Sequence, residues 1–227
     1  MKTKSLLVFG MMLVGLTACS ESKDEPTYVQ EIETADNTRL AKLTTEHYYY
    51  YNAEKIYVNY SDTQSYVLYH ASDEETIVNK LRDMGVSVYV DEAQEYGINQ
   101  DIYPKAYETF GDCKFISVAL DYKKVLEINE VVYASPHVQS LDNPSWWPMA
   151  NRCAVAFTGD VEKLEEVVKD YNVIVWGKDP DIWSTAGDVY IIGCTRDSKC
   201  NALDLASKLY ETGLFVWTDP CLLGIYY

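Results

Sequence analysis

Six cysteines and three histidines are the residues best suited to nucleophilic or metal chemistry in this sequence. Their spacing argues against both. A reactive cysteine works as the thiolate beside a base, commonly on a tight glycine-flanked turn. Gly193-Cys194-Thr195 comes nearest to that pattern, but it closes an expected strand and has no histidine close by in sequence. A buried thiol accounts for it. His47, His70 and His137 are scattered and no C-x-x-C pair occurs, so the ligand spacing of a zinc site is missing. There is no phosphate loop and no dinucleotide fingerprint. With 35 acidic residues, paired carboxylates arise by chance and read as solvated faces. The expectation is a chain without catalytic residues, metal or cofactor, and thus not an enzyme.

The charge excludes another class. The formal net charge is −16, and losing Lys2 and Lys4 with residues 1–18 takes it to about −18. Such a chain repels phosphate backbones, so nucleic acid is not an expected partner. Apolar residues make up 48% of the sequence, enough for a packed core.

The N-terminus supplies a membrane attachment without a spanning helix. Lys2 and Lys4 precede an apolar run, Leu6 to Leu16, that is too short to cross a bilayer. It closes on Leu16-Thr17-Ala18-Cys19, which resembles the lipobox of bacterial lipoproteins. Residues 1–18 are therefore expected to be a signal peptide and Cys19 the acylated residue, with the acyl chains as anchor. Ser20-Glu21-Ser22-Lys23-Asp24-Glu25 is similar to the surface-export signal of lipoproteins of the Bacteroides group. That places the chain in the cell envelope, as an outer-membrane lipoprotein exposed at the surface. Cys113, Cys153, Cys194, Cys200 and Cys221 remain, an odd number that leaves at least one thiol unpaired; their pairing stays open.

Beyond an acidic tether over 19–44, the elements needed to position any site come twice. Tyr48 to Tyr51, a turn at Asn52-Ala53-Glu54, and Lys55 to Asn59 predict a hairpin. In the first half, Tyr66 to Tyr69, Ser72 to Met84, Val86 to Val90, Lys114 to Ala119, Asp121 to Glu130 and Val131 to Ala134 read as strand, helix, strand, strand, helix, strand. Ser72 and Glu75 are placed as a capping box, and Gly85 as the stop. In the second half, Cys153 to Phe157, a helix capped by Asp160, Val173 to Trp176, Val189 to Ile192, Asn201 to Thr212 and Leu214 to Trp217 repeat that order. Short matches mark the period: Asp101-Ile102-Tyr103 echoes Asp181-Ile182-Trp183, and Val132 to Pro136 echoes Val216 to Pro220. Each proline is expected to stand where the chain leaves the sheet. The fold class is α+β: two tandem ferredoxin-like plaits, 45–140 and 141–227, split within Gln139 to Met149. Each sheet carries helices on one side and leaves its reverse face to be covered by something else.

Tyr48 to Ile56, Val131 to Pro136, Cys194 to Leu203, Tyr210 to Phe215 and Asp219-Pro220 together resemble the N-terminal prodomain of subtilisin-like proteases of the Bacteroides and fervidolysin type. The resemblance spans roughly residues 45–221. It implies a chaperone and inhibitor whose open sheet face packs on a protease, with the following segment in the cleft. A catalytic domain is expected after Pro220 in that family, whereas seven residues follow here, so the expectation is a stand-alone module. Its partner-binding residues would be Leu222, Leu223, Ile225, Tyr226 and Tyr227 in an apolar tail, Ala154 and Ala156 on a sheet face, and Asp179 and Asp181 as caps for the partner's helices. Ala154 and Ala156 serve equally well for packing the two halves together, and the aspartates for facing water. Twenty tyrosines and five tryptophans, Trp146-Trp147 among them, support a competing expectation, a glycan-binding surface lipoprotein.

Overall fold

The computed structural model describes residues 46–88, 93–140, 143–182, 184–185 and 187–223. The signal peptide, Cys19, the tether, and Ile225, Tyr226 and Tyr227 lie outside the described residues. The class is α+β, with two antiparallel sheets and few helices.

The chain enters through β1 (His47–Tyr51) and turns at Asn52-Ala53 into β2 (Glu54–His70). Tyr51 pairs with Glu54 across a two-residue loop, and both loop residues have positive φ, 49° and 65°. That is the backbone of a primed hairpin turn, which asparagine tolerates and alanine does not favour. Ala53→Gly is expected to stabilise the protein by about 1 kcal/mol, read from the urea midpoint.

β2 is a single strand of 17 residues. The expected hairpin arm and the expected first strand of the repeat are one element, joined through the polar stretch 61–65, where the register against the neighbouring strand shifts between Tyr60 and Ser65. Next come α1 (Glu74–Asp83), β3 (Gln94–Glu95), α2 (Pro104–Phe110), β4 (Cys113–Val118), α3 (Tyr122–Val125), β5 (Val131–Ser140) and β6 (Asn143–Trp147). The sheet order is β3-β4-β2-β5-β6, with β1 also on β2. The second sheet, ordered β10-β7-β9-β8, is built from β7 (Met149–Phe157), α4 (Val161–Val168), β8 (Ile174–Lys178), β9 (Asp188–Gly193), α5 (Ala202–Glu211) and β10 (Phe215–Leu222).

Several expectations need correction. No side chain caps α1; a 3-10 turn over Ala71–Asp73 leads into it, so Ser72 and Glu75 form no capping box. Residues 86–88 are irregular, and the strand of that position is the two-residue β3 beside Phe115 and Lys114; the rest of the expected strand, 89–90, lies outside the described residues. Helix α2 was not expected. The two prolines stand inside strands, not beyond them: Pro136 pairs with Ser65 next to a bulge, and Pro220 pairs with Cys153 on edge strand β10. Both are places where a missing N–H costs little. The stretch 139–149 contains β6, which folds back onto β5.

The cap of α4 agrees with the sequence, and Asn201, expected as the first residue of the next helix, proves to be the cap of α5. Asp160 Oδ1 accepts from Lys163 N at 3.0 Å and Asn201 Oδ1 from Asp204 N at 2.9 Å. Gly213 ends α5 at φ 71°.

The larger departure concerns the sheet faces. Tyr66, Val67, Leu68 and Tyr69 are all at most 1% exposed, so β2 is covered on both sides. Val67 and Tyr69 pack under α1 and α3 with Ile77, Leu81 and Val125. Tyr66 and Leu68 join a second cluster that contains Phe110 from their own half and Cys153, Trp176 and Ile191 from the other. The reverse faces are not free; they cover one another, with α2 wedged between and packed on β8. Burial at about 25 cal/mol per Å² of apolar surface favours this closure over two solvated faces.

Candidate ligand cleft at the seam of the two sheets

Where the seam opens, a cleft of about 560 Å³ remains, within the size range of small-molecule sites. Its floor is the β7–β9–β10 face, bearing Arg152, Ala154, Ile191 and Asp219. Its walls are the segments that precede β4 and β9 in each half. The repeated tripeptides meet here, since Ile102, Tyr103, Asp181 and Ile182 all line the opening.

Hydrogen bonds fix the walls. Asp179 Oδ1 accepts from the backbone N–H of Asp181 at 2.8 Å and of Ile182 at 3.0 Å, and its Oδ2 accepts from Tyr103 Oη at 2.6 Å. Asp179 thus ties the two halves and has both oxygens engaged. Asn99 holds the opposite segment by accepting from Asp101 N at 3.0 Å. Trp217 Nε1 donates to Ser184 Oγ at 3.4 Å, drawing the β8–β9 connection over the edge of the sheet.

The floor carries the charge. The Arg152 guanidinium lies 5.4 Å from the ring centres of both Tyr96 and Trp176. Tyr96 donates its hydroxyl to Asn151 Oδ1, and Asn151 Nδ2 donates to Cys194 O at 2.9 Å. Trp176, 3% exposed, is boxed in by Tyr96, Tyr103 and Phe110. Asp219 is half-buried, and burial pushes its carboxyl up to about 6.

Of the expected partner-binding residues, Ala154, Asp179, Asp181 and Leu222 come together at this cleft. Ala156 is fully buried, and Leu223 packs on the shared core. Trp146 and Trp147 stand apart and are half-buried, with Trp147 packed near Val138 and Met149. Sequence reasoning missed Arg152, Asp219 and Arg196. Arg196 clamps the halves by donating to the carbonyls of Leu126 at 3.1 Å, Ile128 and Val131 at 3.3 Å, and Asn129. The isolated arginine on a strand was the only signal for Arg152.

A second cluster joins His70, Asp112 and Cys113, whose ligand atoms lie within 4.8 Å of one another. It is the one such group among the described residues, assembled by β2–β4 pairing across 42 positions. An acid–base relay needs thiol and carboxylate on opposite ring nitrogens. Here Asp112 Oδ1 at 2.7 Å and Cys113 Sγ at 3.6 Å share Nδ1, and burial pushes the thiol up to about 12. The arrangement clamps a strand pair and does not activate a nucleophile.

Two buried groups give stability opposite dependences on pH. Burial pulls His137 down to about 4 from 6.5, so the unfolded chain takes a proton that the folded chain refuses, and stability is lost as pH falls between those values. Asp219, raised from 3.8 to about 6, contributes fully below 3.8 and loses its contribution as pH rises through 6. On going from about pH 7 to about pH 4.5, His137→Gln is expected to gain melting temperature relative to the parent and Asp219→Asn to lose it. Superimposable profiles would contradict both assignments.

Among known proteins, the chain matches no family model, no curated protein and no solved structure.

Proposed function

We propose that this chain is a non-catalytic binding module of two ferredoxin-like plaits closed face to face. It takes its ligand in the cleft at their seam and is held on the cell envelope by an acyl anchor at Cys19. The cleft carries this reading: a preformed opening that combines aliphatic lining with a few fixed polar groups is the usual form of a ligand site. The strand orders β3-β4-β2-β5 and β10-β7-β9-β8, with α1 and α3 in the first half and α4 and α5 in the second following the first and third strands, support the plait assignment. The non-catalytic part is supported by the thiols. Cys113, Cys153 and Cys194 are buried, and burial raises the pKa of each.

The prodomain resemblance supports a narrower version, an inhibitor or chaperone of a subtilisin-like protease. A protease seated on an open sheet face would compete with the packing of Tyr66 and Leu68 against the second sheet. In this version contact falls to the cleft rim at Asp181 and the strand end at Leu222 and Leu223. The half-buried state of Trp146 and Trp147 takes support away from the glycan alternative.

The test is a thermal-shift screen of the mature chain against amino acids, short peptides, sugars and organic acids, alongside inhibition assays with subtilisin-like proteases. A ligand whose shift vanishes in Ala154→Phe, which fills the cleft, supports the reading. Inhibition unaffected by that substitution favours the protease version, and silence in both arms removes the proposal.

A further inference from the structure

Arg152 and Asp219 are two halves of an ion pair that the fold does not make. Asp219 lies opposite Ala154 in the β10–β7 ladder, and Arg152 is two residues from Ala154 on the same strand. Both therefore face the cleft as diagonal neighbours, within easy reach of an arginine side chain. Yet none of the ion pairs among the described residues includes either. The guanidinium is held over Tyr96 and Trp176, and its polar neighbours are the Tyr96 and Tyr66 hydroxyls and the Cys221 thiol, none of them a carboxylate. The Asp219 carboxyl accepts no hydrogen bond from the described residues, and its raised pKa has burial as its cause.

Buried charges are normally paired, because an unpaired one forfeits hydration without return. Two opposite charges held apart across one opening favour a ligand that carries the complementary pair. The other carboxylates do not alter this: Asp179 is consumed by Tyr103 and the backbone, and Asp181 stands exposed at the rim. A simple anion would meet Asp219, and a simple cation would meet Arg152. Sugar stacking lacks a platform, since the Trp176 indole is enclosed by Tyr96, Tyr103, Phe110 and Arg152. The lining also offers aliphatic side chains, chiefly Ile102, Ile182 and Ile191.

Resting on the cleft reading above, we infer that the ligand is a small zwitterion with an aliphatic side chain: a free amino acid or a peptide of two or three residues. Its carboxylate pairs with the Arg152 guanidinium, in the forked geometry arginine offers. Its ammonium pairs with Asp219, which binds as the carboxylate, and its side chain lies on the isoleucines.

Calorimetric titration of the mature chain with leucine, Leu-Leu, N-acetyl-leucine and leucinamide tests this. Binding of leucine or Leu-Leu is expected, whichever is tighter identifying the source, with the acetylated and amidated forms about tenfold weaker or worse. Arg152→Met should abolish binding, Arg152→Lys should weaken it by about tenfold, and Asp219→Asn should erase the preference for a free amino group. Circular dichroism checks that each variant is folded, and the charge-conserving Arg152→Lys keeps the test decisive if Arg152→Met is not. Equal affinity for leucine and N-acetyl-leucine would overturn the zwitterion assignment. So would binding of only sugars or plain organic acids, although the cleft would then stand. Silence toward every class in the thermal-shift screen would overturn both.

Discussion

Phe110→Ala is expected to destabilise the whole protein by about 3–5 kcal/mol, and to do so in one transition. Phe110 belongs by sequence to the first half, on α2, but it is fully buried among Tyr96 of its own half and Trp176 of the other. Deleting the ring removes dispersion contacts on both sides of the seam and leaves a void that neither sheet can close alone. A seam this apolar couples the two halves, so urea unfolding followed by tryptophan fluorescence and by far-ultraviolet circular dichroism should shift together. The polar ties agree: Arg196 holds the α3–β5 loop, and Tyr48 Oη donates to Glu211 at 2.7 Å from the N-terminal hairpin to α5. Two separated transitions, with only one moved by the substitution, would show that the halves fold independently.

The second large effect is expected at Gly193. A Cβ there would sit 2.2 Å from Trp176 Nε1 and 2.9 Å from Cε2. The indole has nowhere to go, because Tyr96, Tyr103 and Phe110 enclose it. Gly193→Ala should therefore cost about 3 kcal/mol through overpacking. The substitution also displaces the ring beneath Arg152, so a folded variant should lose cleft binding along with stability. Gly85→Ala is the control: nothing lies within 4 Å of its added methyl, and only the strain of φ 83° is felt, on the order of 1 kcal/mol. Equal midpoints for the two variants would contradict close packing at Gly193.

Much of this was legible before any coordinates. The stripe of α4, its cap at Asp160, the start of α5 near Asn201 and its stop at Gly213 are local events, set by side chains within four residues of each other. The repeated Asp-Ile-aromatic tripeptides marked the two connections that now face each other across the cleft. Other features were not legible, for reasons that are physical. The capping box at Ser72 failed because a 3-10 turn took up the start of the helix. The prolines were read as strand ends, but a strand edge and a bulge accept them. Arg152 looked like any polar residue on a strand, since its environment is made by Tyr96 and Trp176, 56 and 24 positions away in number but adjacent in space.

By itself, the sequence determined the helices and strands of the second half, the α+β class and the strongly acidic charge, while in the first half it missed α2 and extended the four-residue α3 to Asp121–Glu130. Only the tertiary structure decided what each apolar side meets. Periodicity records that a face must be buried, and burial is non-directional, satisfied by a partner protein or by the other half of the same chain. Here the other half was nearer: with both faces on one chain, closure avoids the translational entropy that a separate partner would lose, and the charges left at its open end became the candidate site.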